Sequence, residues 1–205
     1  MTIPSLEQAQ AYLREAERLN PGPWIAHSRY VAEAARAIAA HHPALDPDRA
    51  HILGWLHDIG RRFGVTGMRH VLDGFRFLQA EGFEDAARVC LTHSFAIPHI
   101  DSVAGTWDCS AEDVAFVQQT IASWEMNDYD RLIQLCDAVA LPTGCCLMEK
   151  RLVDVALRYG VNPYTLRRWQ ALFDIQYDFE SAIGQSIYAV LPDVVAATFG
   201  STGPT

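Results

Sequence analysis

Asp46-Pro47-Asp48-Arg49-Ala50-His51-Ile52-Leu53-Gly54-Trp55-Leu56-His57-Asp58-Ile59-Gly60 holds both the helical grammar of this chain and its most informative polar pair. Asp46 reads as a helix cap, and Pro47 takes the first helical position, where a missing N–H costs nothing. Ile52, Leu53, Trp55 and Leu56 supply the apolar side chains that a packed helix needs, and the helix is predicted to end near Gly60. His57 and Asp58 lie in this apolar setting, where an unpaired carboxylate is expensive to bury. Imidazole and carboxylate are also the usual protein ligands of divalent metals that perform hydrolysis, and a bound cation would remove the burial penalty. The segment therefore predicts a helix that ends in a metal site.

Outward from it, the pattern is helical nearly throughout. Ser5-Leu6-Glu7-Gln8 has the form of a capping box that opens a first helix, and Asn20-Pro21-Gly22-Pro23 breaks the chain. A helix over about residues 24–41 places Val31, Ala34, Ala35 and Ile38 on one stripe, with His27 four residues before Val31. Helices are predicted over roughly 67–80, where His70, Gly74 and Phe77 share a face, and 84–92, where Ala86, Val89, Cys90 and His93 do. Residues 94–109 read as a loop over the mouth of the site. Further helices are predicted from Ser110 to about Met126, from Asp130 to Leu141 with Cys136 and Asp137 on the inward stripe, over 149–159 and over 163–181. No segment has convincing strand character. The predicted fold is an all-α orthogonal helical bundle.

The chain has 205 residues, half of them apolar, which fits a single domain over 1–205 with a sizeable core. Within it a core over about 24–141, a helical extension over about 142–199 and a disordered tail over 200–205 are expected. A net charge of −9 argues against nucleic acid as the general partner. The odd set Cys90, Cys109, Cys136, Cys145 and Cys146, without Cys-x-x-Cys spacing, predicts neither a disulfide framework nor a thiolate zinc knuckle. With no signal-peptide pattern and no apolar run of about 18 residues, a cytoplasmic location off the membrane is expected.

His27, His57, His70, His93 and Asp137 each fall on the apolar face of a different predicted helix, and Asp58 adjoins His57. One inward histidine is usually a hydrogen-bonded core residue. Several on separate helices, with two inward acids, are satisfied together by one metal cluster. His41, His42 and His51 read as surface residues. The aromatics Trp55, Phe63, Phe75, Phe77 and Trp124 read mostly as core.

The order His27…His57-Asp58…Asp137, with the run His57-Asp58-Ile59-Gly60, resembles the HD superfamily of metal-dependent phosphohydrolases over about residues 24–141. His70, followed by Gly74, and His93 resemble the extra ligands of its two-metal members, among them the dinucleoside tetraphosphate hydrolases. The His-His pair and Gly-Tyr-Pro motif of the subgroup that hydrolyses cyclic dinucleotides are missing. The resemblance implies a helical bundle with His27, His57, Asp58 and Asp137 on a first metal, and with Asp58 bridging to a second on His70 and His93. Such a nitrogen-rich donor set suits one or two ions of iron, manganese, cobalt or zinc better than magnesium, and without one of the second-site histidines the site would be mononuclear and resemble the nucleotidase branch. Two cations about 3.5–4 Å apart polarise a phosphoryl oxygen and activate water for in-line attack.

Arg61 and Arg62, just beyond the pair, match phosphate oxygens in geometry and join His57 and Asp58 as catalytic candidates. Lys150 and Arg151 are weaker candidates, and His99 and Asp101 fit a hydrogen bond that stabilises the loop. The expected activity is hydrolysis of a phosphate ester or anhydride in a nucleotide or small phosphorylated metabolite. Two other readings compete. Residues 153–169 have the form of a helix-turn-helix, with paired Arg167 and Arg168 on the second helix. A catalytically silent metal-binding protein would keep the ligands without turnover.

Overall fold

The computed structural model describes residues 2–200. Ten α-helices succeed one another among them: α1 (Leu6–Leu19), α2 (Pro23–Ala39), α3 (Pro47–Leu56), α4 (Arg69–Ala80), α5 (Glu84–Thr92), α6 (Ala111–Ser123), α7 (Asp128–Asp137), α8 (Met148–Tyr159), α9 (Thr165–Ile183) and α10 (Val194–Phe199). Their starts follow the caps. Ser5 and Gln8 close a reciprocal capping box on α1, and Asp46 accepts from the Asp48 and Arg49 amides at the head of α3. Ser110 accepts from the Asp113 amide at the head of α6. The protein is all-α apart from a two-residue pair of antiparallel strands, β1 (Ala140–Leu141) and β2 (Gly144–Cys145), with Ala140 opposite Cys145.

The buried apolar residues form one continuous cluster from Ala9 on α1 to Leu191 beyond α9. Helices α2 and α3 pack closely because Gly54 offers no side chain at their crossing, where a Cβ would stand 2.5 Å from Ala32 Cα. A second close approach joins α4 to the 3₁₀ turn Ile59–Phe63. There a Cβ on Gly60 would collide with the His70 carbonyl and the Gly74 amide. These two glycines let the end of α3 lie against both α2 and α4. Helix α7 packs on α2, α3, α5 and α9.

Four sequence expectations need correction. Helix α7 stops at Asp137, not Leu141, because the backbone of residues 139–141 pairs with residues 144–146 and leaves the helical ladder; the Cys146 amide donates to the Val139 carbonyl at 2.8 Å. The loop over 94–109 contains a 3₁₀ turn, Ile100–Ser102. Phe63, read as core, is 58 % exposed at the end of its 3₁₀ turn. Helix α10 was not foreseen; it lies against β2. The tail expected to be disordered lies, beyond Gly200, outside the described residues. Among the described residues no helix is long and apolar enough to cross a membrane.

Candidate metal centre

Three histidines meet at the end of α3, and each is oriented by its own backbone. His57 Nδ1 donates to the Gly54 carbonyl at 2.7 Å, His70 Nδ1 to Gly67 at 2.6 Å and His93 Nδ1 to Cys90 at 2.9 Å. In every case the acceptor lies three residues earlier, so the helical path itself fixes the tautomer. A carbonyl can only accept, so the proton sits on Nδ1 and the Nε2 lone pair faces inward. This is the arrangement in which an outer hydrogen bond prepares an imidazole to bind a metal. The ring centroids of His57 and His93 are 5.0 Å apart, those of His70 and His93 5.5 Å, and those of His27 and His57 5.4 Å. Burial lowers the pKa of His57 despite the carboxylates of Asp58 and Asp137, and drives that of His93 down to about 3.

Asp58 sits at the centre of these rings and is only 4 % exposed. Its Oδ1 lies 3.1 Å from His70 Nε2 and 3.6 Å from His93 Nε2, yet has no hydrogen-bond partner. His57 Nε2 and His27 Nδ1 are likewise buried without partners. Burial pushes the Asp58 carboxyl up, but the Arg61 guanidinium beside it holds it well below the usual carboxylate range. The Arg61 Nε donates to Asp58 Oδ2 at 2.6 Å, and its Nη2 donates to His70 Nε2 at 3.3 Å. At the end of α7, Asp137 Oδ1 pairs with His27 Nε2 at 2.9 Å. The Asp137 carboxyl is depressed as well, because the hydrogen bond with His27 outweighs its burial.

The potential ligand atoms fall into two groups, each within a sphere that one ion could fill. His27, His57 and Asp58 bring theirs within 4.8 Å of one another, and so do Asp58, His70 and His93. Asp58 belongs to both. The chemistry of these donors fits a cation: lone pairs converge on a buried carboxylate, and several lack any other partner. A second buried acid gives the contrast. Asp130 accepts from Arg88 at 2.8 Å and Thr92 at 2.8 Å, and closes the capping box of α7, so each oxygen is satisfied by protein.

Other predicted residues lie elsewhere. Arg62, a catalytic candidate on sequence, does not line the cavity. Its guanidinium donates to Glu15 at 2.6 Å and stacks 4.2 Å from the Phe77 ring centroid, so it ties the 3₁₀ turn to α1 and α4. His51, expected at the surface, is buried beneath α2, where it meets Glu33 at 3.2 Å and accepts from Trp55 Nε1 at 2.9 Å. His99 stacks on Tyr164 with centroids 4.6 Å apart and accepts from the Asp101 amide, which makes it a loop fastener.

A cavity of about 700 Å³ opens onto Asp58, His27, His70, His93 and Asp137. Its far wall comes from the C-terminal helices: Arg151, Asp154, Val155, Arg158 and Tyr159 of α8, and Arg168 and Leu172 of α9. The stretch with helix-turn-helix form thus turns its inner face to the site. Arg168, which the helix-turn-helix reading paired with Arg167, is buried in this wall. Its signal was present, because Arg168, Leu172, Ile175 and Phe179 recur at i, i+4, i+7 and i+11 on the buried face of α9.

A helical bundle that gathers imidazoles and carboxylates from α2, α3, α4, α5 and α7 around one cavity defines a class of folds able to hold a metal between helices. The sequence model of the HD domain family matches residues 24–141, and the chain belongs to that family. The match begins just before His27 and ends four residues after Asp137, so it spans every potential ligand described above. Comparison with curated proteins and with solved structures gives no match. The family is one of metal-dependent phosphohydrolases, and the His and Asp groups here are able to hold a divalent metal.

Proposed function

We propose that this protein is a metal-dependent phosphohydrolase that cleaves a phosphate ester or anhydride in a nucleotide or small phosphorylated metabolite. The observation that carries the reading is the shared carboxylate. Asp58 lies in both ligand groups, with an unpartnered oxygen facing two imidazole nitrogens whose protons are committed elsewhere. In this reading His27, His57, Asp58 and Asp137 hold one cation, and Asp58, His70 and His93 hold a second; iron, manganese, cobalt or zinc suits the donors best. When bound, such ions supply Lewis acidity toward a phosphoryl oxygen and lower the pKa of water.

The chain's own residues do the rest. The carbonyls of Gly54, Gly67 and Cys90 keep the Nε2 atoms of His57, His70 and His93 turned toward the ligand cluster around Asp58, so little reorganisation is needed. Arg61 keeps Asp58 ionised and presents the rest of its guanidinium to the cavity, where it can orient a phosphoryl oxygen. Val103, Ala104 and Leu172 add an apolar part to the cavity wall. The N-terminal core and the C-terminal helices act as one unit, because the second completes the cavity of the first.

Elemental analysis of purified protein, followed by a phosphoester screen in the metal found, tests this reading. Close to two equivalents of a transition metal, with turnover that Asp58→Ala abolishes together with most of the metal, is the expected result. Bound metal without hydrolysis of any ester or anhydride would identify a silent member of the family. No metal after reconstitution would overturn the ligand assignment.

A further inference from the structure

The C-terminal wall holds a buried positive charge that the metal site does not explain. Arg168 is only 8 % exposed, on the face of α9 that looks into the cavity. Its guanidinium makes one hydrogen bond, from Nη1 to the Ser102 carbonyl at 2.8 Å, and no ion pair with a carboxylate among the described residues. Every other arginine that lines the cavity has an acid within reach. Arg61 holds Asp58, and Arg151 and Arg158 share Asp154 at 3.3 and 2.8 Å. A guanidinium deprived of water and given a single neutral partner is costly to keep, and its burial lowers its pKa, with only the field of Asp137 opposing.

The surroundings fix it in place. Asn162, in the turn between α8 and α9, donates through Nδ2 to the Asp101 carbonyl at 2.8 Å and to the Val103 carbonyl at 3.2 Å. Ser102 Oγ donates to the Ile97 carbonyl at 3.0 Å. The loop carbonyl that grips Arg168 is therefore pinned on both sides, and the fork's remaining N–H groups stay available to a ligand. The charge of the whole cavity points the same way. Its lining holds four arginines, Arg61, Arg151, Arg158 and Arg168, against three aspartates, Asp58, Asp137 and Asp154. Any divalent cation on the Asp58 and Asp137 ligands makes the excess larger, in a protein whose net charge is −9.

Building on the phosphohydrolase reading, we infer that the substrate carries a second anionic group besides the phosphoryl group at the metals, and that Arg168 is the residue that binds it. The guanidinium comes from α9 and is anchored to the 100–103 turn, whereas the ligand atoms come from α2 to α5 and α7, so the two ends of the molecule meet different walls. A second phosphate or a carboxylate fits the planar fork equally well. Arg168 is a specificity residue; the cleaved bond lies at the other end.

Non-hydrolysable phosphonates test this without turnover. Protein saturated with Mn²⁺ is titrated calorimetrically with propylphosphonate and with 3-phosphonopropionate and 4-phosphonobutyrate, which add one carboxylate at increasing reach. Wild-type protein is expected to bind at least one of the carboxylate-bearing probes about tenfold or more tightly than propylphosphonate. Arg168→Gln should abolish that preference while leaving propylphosphonate binding unchanged, and Arg168→Lys should restore part of it. Circular dichroism melts show whether each variant is folded. The inference is overturned if wild-type protein shows no preference, a result independent of any variant's folding. It is equally overturned if folded Arg168→Gln keeps the preference, or if it weakens all three ligands alike, which would place Arg168 on the metal-bound group. Binding through Arg168 with no hydrolysis of any ester would sink the phosphohydrolase reading alone.

Discussion

Asp58 and Asp130 are both buried aspartates, and the proposed ligand differs from the strut in what its oxygens meet. Every oxygen of Asp130 has a protein donor, whereas Asp58 keeps an orphan oxygen among imidazole lone pairs. The same logic applies to the histidines and gives a pH signature. His93, with its pKa lowered to about 3, and His57, also lowered, are neutral in the folded chain. In the unfolded chain each titrates near about 6.5. Below that value the unfolded state binds more protons, so their contribution to stability is complete above about pH 6.5 and is lost as pH falls toward the folded pKa of His93. Buried His51 adds to the same slope, and the depressed carboxyls of Asp58 and Asp137 extend it at the acid end. Urea unfolding of chelator-treated protein should therefore show stability rising between about pH 4 and 6.5 and levelling above. His93→Gln should flatten the slope by up to one proton, about 1.4 kcal/mol per pH unit. Equal slopes in the two proteins would refute the neutral, buried state of His93. The clustered histidines were readable in the sequence because each lies on an otherwise apolar stripe. His51 was not, because its partners Glu33 and Trp55 come from crossing α2 and from its own next turn, and spacing alone does not show that crossing.

At the scale of elements, the site depends on two helices approaching the end of α3 more closely than side chains permit. Gly60 is the tighter case. A Cβ there meets the backbone of α4 at His70 and Gly74, which cannot move aside as a side chain would. Gly60→Ala must push α4 away and carry His70 with it. The expected cost is that of overpacking, about 1–3 kcal/mol, with loss of the Asp58 and His70 ligand pair. The variant should retain helical circular dichroism, melt at lower temperature and hold roughly half the metal of the wild type. Unaltered metal content and melting would show that the two elements are free to separate. The helices were legible from caps and stripes, since Ser5, Asp46 and Ser110 do what their positions promise. The β1–β2 pair was not, because two-residue strands are too short for an alternating pattern and owe their existence to pairing across the Pro142-Thr143 turn.

For the whole molecule, the question is how five helices keep a cluster of inward-facing acids and imidazoles without flying apart. Arg61 and the His27–Asp137 pair supply part of the answer within the chain, and in the proposed reading a bound cation would supply the rest by linking elements from α2 to α7. Binding to the folded state alone stabilises it by RT ln(1 + [L]/Kd), about 2.7 kcal/mol at a hundredfold excess over Kd and about 4.1 at a thousandfold. Metal addition should therefore raise the melting temperature of chelator-treated protein in proportion to the logarithm of metal concentration. With a domain of this size, each kcal/mol corresponds to roughly 2–4 °C. Asp58→Ala, which removes the carboxylate common to both ligand groups, should melt at the same temperature with or without metal. Asp130→Asn should melt lower than wild type yet keep the full metal-dependent rise, since its carboxylate serves only α5 and α7. A variant at Asp58 that still gains the whole rise would place the cation somewhere other than the junction of α3, α4 and α5.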